Sequence, residues 1–278
     1  DAAGPVRPGA REALARRLRS DTEGAVMFDA ASRGRYATDA SIYQIMPIGV
    51  MVPKTATDIE GALAIARDLK VPVLPRGAGT SQCGQTTGAA LVIDTSKHFN
   101  RVLEINPDAR TATVEPGLVL DTLNARLKAH GLWFPVDVST SAQATLGGMA
   151  GNNSCGSRSI SYGNMVHNVR GASAWLSDGS ALDFGPVAAL APRAARIADF
   201  VRVLALKHGQ EIEANWPTVL RRVAGYNLDI FANRSERPYT DDGSVNLAHL
   251  LVGSEGTLAF TRTLTLALAP LPNAKVLG

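Results

Sequence analysis

An α+β fold built as two lobes is what this sequence predicts, and three observations predict it. A strand–helix–strand rhythm runs over residues 48–75. Hairpin pairs split by turn residues follow after residue 100, and three glycine-rich loops interrupt the pattern. The chain has 278 residues and 45% apolar content, ample for one large core or two modest ones.

Residues 11–19 alternate Ala and Leu with Arg at helical spacing, predicting a basic first helix whose charged face is solvated rather than membrane-docked. Residues 48–52 read as a short apolar strand ended by Pro53. Thr57 and Asp58 supply N-capping chemistry for a helix through Leu69, with Ile59, Leu63, Ala66 and Leu69 toward a core. Residues 71–75 form the next strand, expected to pair in parallel with the first across a right-handed crossover. Residues 90–94 are another buried strand. Residues 102–106 and 111–115 flank Pro107-Asp108 as a hairpin. Residues 118–130 make an amphipathic helix closed by Gly131.

Residues 169–177 and 181–184 bracket Asp178-Gly179, a second hairpin. Residues 193–208 are helical up to Gly209, and 216–223 read as a shorter helix with Pro217 in its first turn. Residues 250–252 and 258–268 are expected as strands around the last glycine turn, the second of them antiparallel with one wet face. In this reading residues 1–40 form an N-terminal helical segment, 41–100 a βαβ-containing first lobe, and 101–278 a mainly antiparallel second lobe.

Composition narrows the function. Lys plus Arg total 28 against 25 acidic residues, a balance of +3, and aromatics are 5% of residues, so the basic, aromatic-interleaved surface of a nucleic-acid binder is missing. No apolar run reaches the roughly 20 residues of a membrane-spanning helix, and the N-terminus has no signal-peptide core. Two cysteines, Cys83 and Cys155, make no disulfide framework and suit a reducing cytoplasm; peripheral attachment to an inner membrane stays open. Two separate thiols are preferred over a disulfide, which would need Cα atoms about 4.4–6.8 Å apart. There is no HExxH, no CxxC and no paired histidine, so no metal site is expected. Of the five scattered histidines, His167 is the one to test first.

The chemistry sits in the loops PRGAGTSQCG (75–84), STSAQATLGGMAGNNSCG (139–156) and GSEGTL (253–258). Glycine reaches positive φ cheaply, so successive N–H groups can converge into a concave anion site. The first loop is neither a GxGxxG fingerprint nor a phosphate loop with its Lys-Ser/Thr pair. What remains is a nest of amides with the hydroxyls of Thr80 and Ser81, while Arg76 either adds charge or turns into a core-side ion pair. Residues 137–156 hold five Ser or Thr, three Asn or Gln, four Gly and no Lys or Arg, so neutral donors would hold an anion there. Gly147-Gly148 permits close backbone approach; Asn152, Asn153 and Ser154 add side-chain donors. A loop of this length in a compact domain points to function.

These segments, with YGNMVHNVRG (162–171), VAGYNLD (223–229) and LLVGSEGTLAFTRTLTLALAPLP (250–272), resemble the FAD-binding domain of the vanillyl-alcohol-oxidase (PCMH) type. The similarity is greatest to the D-2-hydroxyacid dehydrogenase branch, which includes D-lactate and D-2-hydroxyglutarate dehydrogenases and the glycolate oxidase flavin subunit. The opening ATDASIYQIMP resembles large bacterial members that fuse a flavin half to an iron–sulfur half. The resemblance covers roughly residues 35–275. It implies an FAD pocket between two α+β lobes. Pro75, Arg76, Gly77, Ala78, Gly79, Thr80, Ser81 and Gly84 would hold the diphosphate from one side, and Ser139, Thr140, Ser141, Thr145, Gly147 and Gly148 from the other. Asn153, Cys155 and Gly156 would lie alongside, with Tyr162 and Gly163 following. Val169 would sit by the adenine, Glu255, Gly256 and Leu258 would line the cofactor, and Tyr226 and Asn227 would lie near the isoalloxazine.

Departures from the family pattern refine this. Thr80 stands where covalent members carry a flavin-linking His, so non-covalent FAD is expected. Ala78 replaces a usual glycine and shifts that loop slightly. The chain stops where similar dehydrogenases continue into a cap domain that binds substrate, so it reads as the flavin half of a longer protein or an excised piece, with little turnover alone and no base assigned. A small 2-hydroxyacid would be the substrate, with an iron–sulfur cluster, quinone or electron-transfer flavoprotein as acceptor. The rivals are a same-fold flavoenzyme for another alcohol or enol, and a non-catalytic nucleotide-binding module.

Overall fold

The structure is a computed structural model that describes residues 9–219, 221–223, 225–232, 239–240 and 244–272. The chain opens with α1 (Ala10–Asp21), β1 (Ala25–Met27), α2 (Ala30–Gly34), β2 (Gly49–Val52), α3 (Ala56–Leu69), β3 (Val73–Arg76) and β4 (Leu91–Asp94). These strands form one sheet in the order β1-β2-β4-β3, with β4 parallel to both β2 and β3. The expected β2–β3 pair is therefore parallel but not adjacent. Residues of β4 are buried throughout, and such a strand belongs in the middle of a sheet covered on both faces. Helix α3 is capped by Thr55 rather than Thr57. Thr55 Oγ1 accepts from Asp58 N at 3.1 Å, while Asp58 accepts from Thr55 N, closing a capping box.

The chain continues with the hairpin β5 (Val102–Asn106) and β6 (Thr111–Val114), then α4 (Leu120–Leu127), which ends through a tight turn at Gly131, φ 66°. Next come β7 (Leu132–Trp133), α5 (Leu146–Asn152), α6 (Ser159–Tyr162), α7 (Met165–Asn168), β8 (Val169–Trp175) and β9 (Ala181–Phe184). Helices α8 (Pro192–Lys207), α9 (Gly209–Asn215) and α10 (Ala248–Leu251) precede β10 (Phe260–Ala267) and β11 (Ala269–Pro270). The five-stranded sheet runs β5-β6-β10-β8-β9, antiparallel throughout, with β10 at its centre.

Three expectations fail here, each for a local reason. Gly209 begins a helix instead of ending one: His208 is at once the C-cap of α8 and the N-cap of α9. The helix expected over 216–223 is absent from its described residues, with residue 220 outside them. Trp216 is extended (φ −71°, ψ 130°) because it precedes Pro217, whose ring disfavours helix in the residue before it. Residues 250–252 are no strand; they lie in and just after the short helix α10. Residues 247–252 are all buried, and a short apolar run has no period to separate the two states.

The first core packs α1 and α3 on the smaller sheet, and the second packs α4, α5, α8 and α10 on the larger one. Trp175 and Phe260, from the larger sheet, are buried in the first core, and Trp175 Nε1 donates to Glu60 Oε1 at 3.1 Å. The two cores are joined there. Among the described residues no helix is long and apolar enough to cross a membrane.

Candidate functional site

Residues 77–84 leave the carboxyl end of β3, which pairs in parallel with β4. The three glycine-rich loops meet there. A Cβ added to Gly77 would overlap Thr145 Oγ1 in the second loop. A Cβ on Gly256 would lie 3.1 Å from Pro75 Cγ, so the third loop rests on the first. Gly253 N donates to Ala150 O at 2.9 Å and Glu255 N to Gly151 O at 3.0 Å, tying third to second. The loops enclose a cavity of about 370 Å³.

Of the residues nominated from sequence, Pro75, Arg76, Gly77, Ala78, Gly79, Thr80, Ser81, Ser139, Thr140, Thr145, Gly147, Gly148, Cys155, Val169, Glu255 and Gly256 line this cavity. Asn152 and Ser154 line it too, with Gln85, Thr86, Phe260 and Leu264, which were not among the nominated site residues. Phe260 and Leu264 lie on the buried face of β10, so the alternation of that strand was the available signal. Gly84, Ser141, Asn153, Gly156, Tyr162, Gly163, Tyr226, Asn227 and Leu258 do not line it. Gly84 packs on Tyr43, Gly156 on Asp137 and Gly163 on His167. Tyr162 meets Trp133 edge-on at 5.3 Å. Asn153 is buried in left-handed conformation at the end of α5, its Oδ1 accepting from Val166 N at 3.0 Å.

Asn227 shows why the GYNL segment sits behind the wall instead of in it. It is fully buried, and its Nδ2 donates to His249 O (2.9 Å) and Val252 O (2.8 Å). Its Oδ1 accepts from Arg222 Nη2 at 3.1 Å, and the same nitrogen donates to Asp229 Oδ1 at 2.8 Å. Its neighbour Tyr226 is exposed, its hydroxyl 2.8 Å from Thr257 Oγ1. His249 Nε2 lies 3.1 Å from Val169 O, at the start of β8. Burial pushes the His249 pKa down to about 4, so a neutral imidazole donates that bond. His167 lies outside the cavity lining, its Nδ1 accepting from Asn164 N at 3.0 Å.

The first loop presents donors. Among the described residues, none of the amides of residues 77–81 donates to a backbone acceptor, and Gly79 takes φ 69°. Ala78 has negative φ, so its Cβ costs nothing in backbone strain. Arg76 does not reach into the cavity as a charge clamp. Its Nη1 donates to Thr86 O and its Nη2 to Thr38 O, both at 2.8 Å, and its guanidinium stands 5.7 Å over the Tyr36 ring. The side chain ties the base of the loop to the segments that carry Thr38 and Thr86. Among the described residues no other Arg or Lys lines the cavity, so an anion bound there would meet main-chain N–H groups and hydroxyls. The cysteines are both free, Cys83 exposed and Cys155 half-buried.

A family profile described as FAD binding domain matches residues 47–185. The chain is 37% identical over 257 residues to D-2-hydroxyglutarate dehydrogenase of Pantoea ananatis, covering 88% of this chain and 24% of that protein. It is 34% identical over 256 residues to the Escherichia coli protein of the same name, covering 88% and 25%. With the glycolate oxidase subunit GlcD of Bacillus subtilis it shares 32% over 254 residues, 89% of this chain and 43% of that one. The chain thus spans about a quarter of the dehydrogenases it matches. In fold it resembles the solved structure of alkyldihydroxyacetonephosphate synthase, with TM-score 0.65 at 18% identity over 94% of this chain and 41% of the other.

Proposed function

The chain belongs to the family of FAD binding domains, and from that premise we propose that it is the cofactor-binding part of a flavin-dependent D-2-hydroxyacid dehydrogenase. The observation that carries this reading is the meeting of three loops, far apart in sequence, on one cavity whose first wall offers five amides without backbone acceptors. Such a wall fits a diphosphate: the N–H groups of residues 77–81 and the hydroxyls of Thr80, Ser81, Ser139 and Thr140 supply neutral donors. Val169, Phe260 and Leu264 give the apolar surface that a ring system needs. When bound, FAD supplies the hydride acceptor for oxidation of the hydroxyl-bearing carbon.

The finer features follow from the same residues. Thr80 offers no imidazole for a covalent link, so the cofactor is held by contacts alone. The substrate is a small D-2-hydroxyacid, as the names of the relatives at 32–37% identity suggest. A titration tests the core of the reading: the 278-residue chain takes up FAD with quenching of flavin fluorescence, and acid precipitation leaves the yellow colour in the supernatant. Flavin retained on the pellet would overturn the non-covalent assignment, and no uptake would overturn FAD binding. In the whole protein, D-lactate, glycolate or D-2-hydroxyglutarate should bleach the flavin at 450 nm (roughly) while aryl alcohols do not.

A further inference from the structure

One polar cluster in the cavity is of the wrong character for a phosphate. Gln85 of the first loop, Asn152 of the second and Glu255 of the third converge on a single point of the lining. Gln85 Nε2 donates to Asn152 Oδ1 at 3.3 Å and to Glu255 Oε1 at 3.4 Å, so both acceptors fix the orientation of the amide. Its Oε1 then points into a buried position with no partner. Asn152 Nδ2 is engaged with Ser154 Oγ at 3.0 Å. Both hydrogens of Gln85 Nε2 are engaged and Asn152 Nδ2 spends one of its two, so the cluster offers mainly acceptors: the Gln85 carbonyl oxygen, the Glu255 carboxylate and the remaining lone pair of Asn152 Oδ1. Burial raises the Glu255 pKa, as a carboxylate without a cationic neighbour requires.

Glu255 also holds a left-handed backbone, φ 51°, which a non-glycine residue adopts at a cost. Glycine would fit that position better, and Gly256 follows it directly. The side chain therefore contributes something that local backbone energetics does not explain. The cavity is polarised: amide donors line the wall at residues 77–81, and acceptors collect at Gln85, Asn152 and Glu255. An anion favours the first region and is repelled by the second, whereas a hydroxyl group donates into the second.

We propose that Gln85, Asn152 and Glu255 form a hydroxyl-recognition subsite that accepts hydrogen bonds from the polyol portion of the cofactor and so fixes the direction in which it lies; this rests on the FAD reading above. FAD carries such hydroxyls on its adenosine ribose and on its ribityl chain, the two sources of one chemistry.

The test is binding of FAD, ADP and FMN to the wild-type 278-residue chain and to the Glu255→Gly and Gln85→Met variants, with the melting temperature of each ligand-free protein. Losing a hydrogen bond to a charged or buried acceptor weakens FAD binding by about tenfold or more in both variants. Glu255→Gly meanwhile keeps or raises the ligand-free melting temperature, because glycine relieves the left-handed backbone. A loss repeated with ADP assigns the ribose, and one repeated with FMN assigns the ribityl chain; either supports the subsite. Wild-type uptake of FAD with both variants within about twofold of it overturns the subsite alone. Failure of the wild type to take up FAD overturns the subsite together with the cofactor reading.

Discussion

Substituting Gly77 by alanine probes the closest approach between the first two loops. The new Cβ would overlap Thr145 Oγ1, and it would lie 3.2 Å from Thr145 Cβ and 3.4 Å from Cγ2. Rotating the threonine moves its hydroxyl away but not its Cβ. Carbon pairs rest at about 3.5–4.0 Å, so the loops must separate by roughly half an ångström. Overpacking of that size costs about 1–3 kcal/mol, which corresponds to FAD affinity weaker by about 5- to 150-fold when closure of the walls is required for binding. Thr145→Gly removes the whole obstructing side chain, and the cycle subtracts what that change costs by itself. The assay is a double-mutant cycle on FAD affinity, read by quenching of flavin fluorescence. Gly77→Ala in the Thr145→Gly background should recover at least 1 kcal/mol (about fivefold). Additive losses, within about 0.5 kcal/mol, would show that the two loops do not close on a common ligand.

Two further outcomes follow from buried groups. The His249 pKa is depressed to about 4 against 6.5 for the unfolded chain, so the neutral form is favoured on folding. That contribution is intact above pH 6.5, is lost progressively as pH falls toward 4, and amounts to about 3 kcal/mol at the end. Urea unfolding of wild type and His249→Gln at pH 7 and pH 4.5 should therefore show the gap between them shrinking or reversing on acidification; a constant gap would refute the assignment. Arg76→Lys replaces a fork that reaches Thr38 O and Thr86 O with a single ammonium, leaving one carbonyl unserved. A loss of about 1.5–3 kcal/mol, a drop on the order of 5 °C in melting temperature, is expected by scanning fluorimetry, and an unchanged midpoint would show the brace to be idle.

The legibility of this chain divides along the range of the signal. Apolar runs such as LVID at 91–94, turn pairs such as Asp178-Gly179 and the position of each glycine loop are encoded within a few residues, so the sequence alone places most strands, both hairpins and the loops that line the cavity. The loops themselves suggest one shared anionic ligand, and the resemblance to FAD-binding domains adds the expectation that it is FAD. Where a segment has no period, or where the next residue overrides it, local reading failed: the buried run at 247–252 folded as a short helix, and Pro217 stopped helix formation instead of starting it.

Side-chain direction was decided by tertiary structure. Arg76 could have faced a ligand or the core, and only the carbonyls of Thr38 and Thr86, contributed by separate segments, turned it inward. Asn227 belongs to a motif near the cofactor in the family pattern, yet its two amide hydrogens are claimed by His249 O and Val252 O behind the wall. Gln85 and Glu255 stand 170 residues apart, and no pattern in either neighbourhood foretells their contact. Periodicity and turn chemistry act between neighbours along the chain, whereas the meeting of the loops depends on two packed cores bringing distant backbone together, and that is fixed only when both sheets have closed.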